Sequence, residues 1–146
     1  MIAQTIQLAL APVFVLVAIG NIMNLLSTRL GRVVDRARTM QERHRDTSGM
    51  EHDLVVREIR LLDRRIVLIG RAILLLVLSG LTIGLTVVIL FLGDFLDWDL
   101  PQLTAASFIL AITLLMGALL LFLLETRQAS AALRIPEDFL ELGRNI

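Results

Sequence analysis

The sequence predicts an all-α integral membrane protein with three transmembrane helices, the first two extended into a cytoplasmic antiparallel helical hairpin. Three observations predict this fold class. Hydrophobic residues make up 56% of the chain, a larger share than is usual in soluble proteins, and its mean hydropathy is +0.78. Apolar residues gather into three long stretches, and most of the arginines lie between the first two. We interpret residues 1–146 as a single membrane domain.

The three predicted spans cover about residues 5–27, 68–93 and 103–124. At about 1.5 Å per helical residue, segments of this length can cross a hydrocarbon core about 30 Å thick. A cleaved signal peptide is the alternative for the first stretch. Signal peptides carry basic residues before their apolar run, whereas here the first basic residue, Arg29, comes after it. We therefore expect the first stretch to remain as a membrane helix.

Residues 28–67 are predicted to form a helical hairpin rather than a loose loop. Apolar residues on both sides of a turn-forming cluster at 46–49 recur at alternating steps of three and four, which is the spacing of a coiled-coil seam. Ser48 and Glu51 have the spacing of a capping box, which predicts the start of the second helix. The two seams comprise Leu26, Leu30, Val33, Ala37 and Met40, then Val55, Ile59, Leu62, Ile66, Ile69 and Ile73.

The arginines predict the orientation in the membrane. Eleven of them lie between Thr28 and Arg71, three follow Leu124, and the turn at 94–101 has none. Basic residues near the ends of spans resist translocation, whereas acidic residues have little effect. We therefore expect the N-terminus outside, and both the hairpin and the C-terminal tail, 125–146, in the cytoplasm.

Arg71, Trp98 and Glu125 are predicted to anchor the spans at the membrane boundary. Trp98 lies in the external turn, where an indole ring suits the headgroup region. Arg71 and Glu125 fall at the cytoplasmic ends of the second and third spans, from which long side chains can extend to the headgroups.

Further along, the segment 136–142 begins with Pro and has an apolar side, which predicts a short helix.

The sequence contains no motif typical of catalysis or cofactor binding. It has no Gly-rich phosphate loop and no nucleophile elbow, and the absence of Cys excludes thiolate chemistry. The formal net charge of zero argues against nucleic-acid binding, which needs a surplus of cations. His44 and His52 flank the hairpin turn, and we interpret them as exposed turn residues. We expect no enzymatic activity, no metal and no cofactor.

Polar residues on the first helix form the candidate functional surface, because polar groups inside a membrane are costly and tend to face protein or water. A second polar stripe follows the second helix. Three interpretations are open: the stripes meet within one protomer, they form a subunit contact, or they line a hydrated pore. The first stripe comprises Asn21, Asn24, Thr28, Arg32 and Asp35, and the second Arg71, Leu75, Ser79, Thr82 and Thr86.

Small residues predict where helices approach closely. Gly80 and Gly84 form a Gly-x-x-x-Gly pair, and Thr113 with Gly117 repeats this spacing in the third span. Such pairs serve contacts within one chain as well as contacts between subunits. The predicted helix-packing residues are Ser79, Gly80, Thr82, Gly84, Thr113 and Gly117.

The run Arg29-Leu30-Gly31-Arg32-Val33-Val34-Asp35-Arg36-Ala37-Arg38 resembles the segment after the first span in an uncharacterised family of small bacterial inner-membrane proteins. Glu58-Ile59-Arg60, Arg64-Arg65 and Arg71-Ala72-Ile73 are similar to the returning helix of that family. The resemblance covers about residues 5–130. It implies three helices in a bacterial inner membrane and an unassigned activity, and it supplies no catalytic residue.

We therefore expect a non-enzymatic, homo-oligomeric membrane scaffold. Its partners would be the lipid bilayer, other copies of the chain and a cytoplasmic protein that the helical arm recognises. The alternative is a homo-oligomeric ion channel whose pore is lined by the polar face of the first helix. The two hypotheses differ in whether that face meets a neighbouring subunit or surrounds a symmetry axis.

Overall fold

The computed structural model describes residues 2–133 and 143 of the chain. This part forms three α-helices, α1 (Ile2–Asp46), α2 (Met50–Leu96) and α3 (Pro101–Ala132), and contains no strand. Each helix includes a window that is long and apolar enough to cross a membrane, with mean hydropathies of 2.1, 2.8 and 2.7. The prediction of an all-helical chain with three helices able to span a membrane is confirmed.

The turn between α1 and α2 differs from the prediction. Gly49, with a φ of 70°, precedes α2, and no side-chain hydrogen bond caps this helix. The predicted capping box of Ser48 and Glu51 is therefore wrong, because Gly49 rather than Ser48 occupies the cap position. The Thr47 hydroxyl nearby donates to the Arg43 carbonyl at 3.1 Å, which covers one free acceptor at the end of α1.

The second turn is tight. Asp97 ends α2 in the left-handed region at a φ of 49°, and the Trp98 N–H donates to the Gly93 carbonyl at 2.9 Å. A Cβ on Gly93 would lie only 3.2 Å from the Trp98 carbonyl oxygen, so this close approach favours glycine. Pro101 begins α3, where its missing N–H has no consequence.

α2 is the central helix and packs against both α1 and α3. The short turns make each pair of neighbours antiparallel. Buried positions recur every seven residues on all three helices, so each keeps one face toward its neighbour over several turns. These positions are Ile19, Leu26, Val33 and Met40 on α1, Val55, Leu62, Ile69, Leu76 and Ile83 on α2, and Ala111, Ala118 and Glu125 on α3.

The two interfaces of α2 have different chemistry. Toward α1 the buried side chains are mainly large and apolar, such as Leu26, Met40 and Ile69. Toward α3 the buried residues are small or polar, such as Ala111, Ala118 and Ser107. Small residues allow helix backbones to come close, so hydrogen bonds between α2 and α3 become geometrically accessible.

The segment beyond the third apolar stretch is partly described. Residues 125–132 continue α3 without a break, so the first part of the predicted tail is helical. The short helix predicted at 136–142 lies outside the described residues.

Candidate functional site

A buried carboxylate joins all three helices at the level where their apolar stretches end. Glu125 on α3 is 0% exposed. The Nε of Arg65 on α2 donates to its Oε1 at 3.0 Å, and the Nη2 of Arg29 on α1 lies 3.3 Å from its Oε2. Along the chain, Arg29 closely follows Leu26, and Glu125 directly follows Leu124. We call Arg29, Arg65 and Glu125 the ion cluster.

Arg29 is held by two further contacts. Its Nη1 donates to the Thr126 hydroxyl at 3.2 Å, and its guanidinium carbon lies 5.2 Å from the centre of the Phe122 ring. An arginine over an aromatic face is attracted by the ring quadrupole. Arg29 is therefore attached to the same turns of α3 that carry Glu125.

The two halves of the ion cluster are not equivalent. The contact of Arg29 with Oε2 has an ion-pair distance but lacks hydrogen-bond geometry, and Oε2 accepts no hydrogen bond from any described residue. The contact of Arg65 with Oε1 has both an ion-pair distance and hydrogen-bond geometry. We therefore regard the Arg65 bond as the directional contact and the Arg29 contact as electrostatic attraction. Two guanidinium groups share one carboxylate, so the cluster carries one excess positive charge.

The predicted anchoring role of Glu125 is wrong, because a fully buried side chain does not extend to the headgroups. The sequence signal for its burial is the repeat Ala111, Ala118, Glu125, in which the glutamate takes a core position of α3. Arg71 and Trp98 are both exposed, as an anchor requires, and their role at the membrane boundary stays a prediction.

The polar stripe of α1 is not covered by any other described part of the chain. All five of its residues, Asn21, Asn24, Thr28, Arg32 and Asp35, are exposed. The Thr28 hydroxyl donates to the Asn24 carbonyl of its own helix at 3.0 Å. Among the described residues, neither asparagine side chain has a hydrogen-bond partner. The interpretation that the two polar stripes meet within one protomer is therefore wrong.

The hydroxyls of the second stripe are bonded mainly between α2 and α3. Ser79 donates to the Ala111 carbonyl at 2.7 Å, and the Thr86 and Ser107 hydroxyls lie 2.8 Å apart. Thr82 instead donates to the Leu78 carbonyl of its own helix at 2.8 Å. These polar groups are thus satisfied inside a single chain.

The predicted helix-packing residues divide in two. Ser79 is buried. A Cβ added to Gly117 would lie 3.3 Å from the Leu75 side chain, and one added to Gly80 would lie 3.7 Å from the Leu16 side chain. A Cβ on Gly84 would meet nothing within 4 Å, and one on Gly80 would make only an ordinary van der Waals contact, so the Gly-x-x-x-Gly pair does not mark a close helix approach. Thr113 is exposed and bonds only the carbonyl of Ile109 on its own helix.

The two histidines lie together at the hairpin turn. The ring centroids of His44 and His52 are 4.4 Å apart, and the Thr47 hydroxyl lies 3.4 Å from His52 Nδ1. Within residues 2–133 and 143, no group of three or more His, Cys, Asp or Glu residues could hold a metal ion. His44 is exposed as predicted, whereas His52 is half-buried.

A family model described as a protein of unknown function, DUF2721, matches residues 9–135. This range contains all of the ion cluster, the polar face of α1 and nearly the whole of the three helices. The match confirms the resemblance to an uncharacterised family of three-helix proteins that the arginine-rich run after the first span indicates. No curated protein and no solved structure matches the chain.

Proposed function

This chain belongs to the DUF2721 family of proteins of unknown function, and we propose that it is a non-enzymatic, homo-oligomeric scaffold of a bacterial inner membrane. One observation carries the proposal. Asn21 and Asn24 lie within the first apolar stretch, yet both are exposed and neither is covered by α2 or α3. A second copy of the chain would cover them.

The energetics of the bilayer favour such a contact. Hydrocarbon offers no hydrogen-bond partner, so an unsatisfied polar group there costs several kcal/mol. A side-chain amide carries both a donor and an acceptor, so Asn21 or Asn24 can pair with the same residue of a symmetry-related copy. Each contact of this type contributes only about 0.6 to 2 kcal/mol, so an assembly needs several of them together.

The same face continues beyond the apolar stretch. Arg32 and Asp35 are exposed, carry opposite charges and lie one turn apart on α1. Across a two-fold axis parallel to the helix, Arg32 of one copy would approach Asp35 of the other. The helical arm at 28–67 would then extend the contact and present its remaining surface to a cytoplasmic partner.

Cross-linking in membranes tests the proposed contact. Because the chain has no natural Cys, Asn24→Cys introduces a single reactive thiol. Leu74→Cys is the matched control, since Leu74 is exposed like Asn24, at 58%, and lies on α2 near the same level. We expect oxidation to produce a covalent dimer with Asn24→Cys and much less with Leu74→Cys. Equal cross-linking at both sites, or none at either, would contradict the proposal.

A topology measurement tests the proposed orientation. Asp97→Cys should react with a membrane-impermeant thiol reagent added outside the cell, because the 94–101 turn lacks basic residues. Ser48→Cys, in the turn of the arm, should react only after the membrane is opened. A reporter fused after Ile146 should behave as cytoplasmic. The reverse labelling pattern would overturn the orientation.

The second candidate is an ion channel, which the outward direction of the whole polar face favours. Around a higher symmetry axis, Asn21, Asn24 and Thr28 would line a hydrated path. Arg32 would then form a positive ring that disfavours cations unless Asp35 neutralises it. A current in liposomes that disappears in the Asn21→Leu/Asn24→Leu variant, with the oligomer intact, would support the channel over the scaffold.

A further inference from the structure

We propose that the groove beside the ion cluster binds the headgroup of an anionic phospholipid. The groove has a volume of about 900 Å³ and is lined by residues of all three helices. Arg29, Arg36 and Arg65 lie along it, together with Glu58 and Gln128. It is formed within one chain, so its occupation does not depend on the proposed oligomer.

The charge of the groove favours an anion. Arg36 and Glu58 neutralise each other, with the Arg36 Nε donating to Glu58 Oε1 at 2.9 Å. Arg29 and Arg65 share the single carboxylate of Glu125, which leaves one positive charge without an acidic partner among the described residues. The side chains of Arg29 and Arg65 are only 27% and 20% exposed. An unpaired charge at such a site is costly, and an anionic group would stabilise it.

The donors are already oriented. Arg65 lines the groove and uses its Nε for Glu125, so its two Nη groups have no described protein acceptor. Arg29 is fixed by Thr126 and Phe122, and its Nη2 lacks a hydrogen bond of good geometry to Glu125. Guanidinium groups bind phosphate through parallel N–H donors, and little side-chain entropy is lost when they are already held.

The position of the groove indicates a lipid rather than a soluble anion. Arg65 lies three residues before the second predicted span, which begins at about residue 68, and Glu125 follows the last residue of the third. Phosphates of a bilayer lie at this level, just outside the hydrocarbon core. From there the groove continues toward Arg36, Glu58 and Gln128, whose polar groups suit a hydroxylated headgroup such as that of phosphatidylglycerol.

Native mass spectrometry of the full-length protein with added lipid tests the site. We expect phosphatidylglycerol to stay bound to the single chain, and phosphatidylcholine, whose headgroup carries a compensating cation, to bind more weakly. Arg65→Gln should weaken phosphatidylglycerol binding about tenfold, because it removes charge-assisted donors. Arg64→Gln is the matched control, since Arg64 is exposed and does not line the groove.

A second variant separates lipid binding from folding. Gln128→Glu adds a negative charge to the groove without changing the ion cluster, and it should also weaken phosphatidylglycerol binding severalfold. Excess inorganic phosphate should not displace the lipid. The proposal is overturned if Arg65→Gln and Gln128→Glu both retain phosphatidylglycerol like the natural chain, or if inorganic phosphate displaces it.

Discussion

Polar groups at membrane depth have different surroundings in two regions of this molecule. Between α2 and α3, Ser79, Thr86 and Ser107 are buried and hydrogen-bonded within the chain. On the outer face of α1, Asn21 and Asn24 are exposed, and the described residues offer their side chains no hydrogen bond. Polar groups between α2 and α3 are therefore satisfied by each other, whereas the polar surface of α1 has no partner among the described residues.

The difference follows from the order of the helices. Because α2 is central, α3 uses its small and polar face against α2, and α1 contacts α2 mainly through large apolar residues. The polar stripe of α1 lies on the opposite side of that helix. Threonine hydroxyls such as those of Thr28 and Thr82 bond carbonyls of their own helix. The Asn21 and Asn24 side chains make no such bond in the described chain, and no described helix packs against them.

The largest expected effect comes from the ion cluster, which joins α1 to the α2–α3 pair. Glu125→Ala leaves Arg29 and Arg65 partly buried without their carboxylate. Breaking a buried ion pair from one side costs about 3 to 5 kcal/mol, so we expect a loss of this order in the free energy of unfolding. Denaturant titration in detergent micelles measures it.

Glu42→Ala is the control for this variant, since Glu42 is an exposed acid on α1. Its free energy of unfolding should stay within about 0.5 kcal/mol of the natural chain. Equal stability of the two variants would show that the ion cluster does not hold the helices together.

A smaller effect is expected from steric separation of α2 and α3. Gly117→Val places atoms against Leu75, where a Cβ alone would already lie at 3.3 Å. Overpacking of this kind costs about 1 to 3 kcal/mol. Gly84→Val is the matched control, because a Cβ there meets nothing within 4 Å. If both variants unfold at the same denaturant concentration, Gly117 is not required for close helix packing.

Loss of one hydroxyl between α2 and α3 should have a moderate effect. Ser79→Ala removes the 2.7 Å bond to the Ala111 carbonyl. Polar contacts between membrane helices are worth about 0.6 kcal/mol on average and up to about 1.7 kcal/mol. Ser27→Ala, at an exposed serine of α1, should change stability less. A larger loss of unfolding free energy from Ser27→Ala than from Ser79→Ala would show that the bonded hydroxyls between α2 and α3 contribute no more than an exposed one on α1.

The smallest effect is expected for the ion pair of Arg36 and Glu58, whose side chains are 49% and 40% exposed. Exposed pairs contribute about 0.2 to 1 kcal/mol and are screened by salt. Arg36→Gln should lower the free energy of unfolding by no more than this, and the difference should shrink as salt is added. A loss as large as that of Glu125→Ala would show that the exposed pair matters as much as the buried cluster.

The helices and their inward faces could be predicted from the sequence because both depend on local periodicity. Leu26, Val33 and Met40, in the predicted outgoing seam, are buried, and so are Leu62 and Ile69 in the returning one. The capping box failed on a local detail, since Gly49 occupies the cap position instead of Ser48. A one-residue difference of this kind is below what a four-residue motif can resolve.

The ion cluster could not be predicted because its members are far apart in the sequence. Arg65 and Glu125 are 60 residues apart, and their contact depends on how α2 and α3 align. The polarity of the stripe on α1 follows directly from its residue types. Its outward direction depends on α2 rather than α1 being central, which no periodicity within α1 reveals.

The mass of the protein in mild detergent tests the central claim most directly. Asn21→Leu/Asn24→Leu removes both amides, and Gln4→Leu/Gln7→Leu is the matched control, with two exposed amides of the same helix at the same spacing. We expect an oligomer for the natural chain and for the control, and a shift toward monomer for the asparagine variant. A monomeric natural chain, or one oligomeric mass for all three proteins, would contradict it.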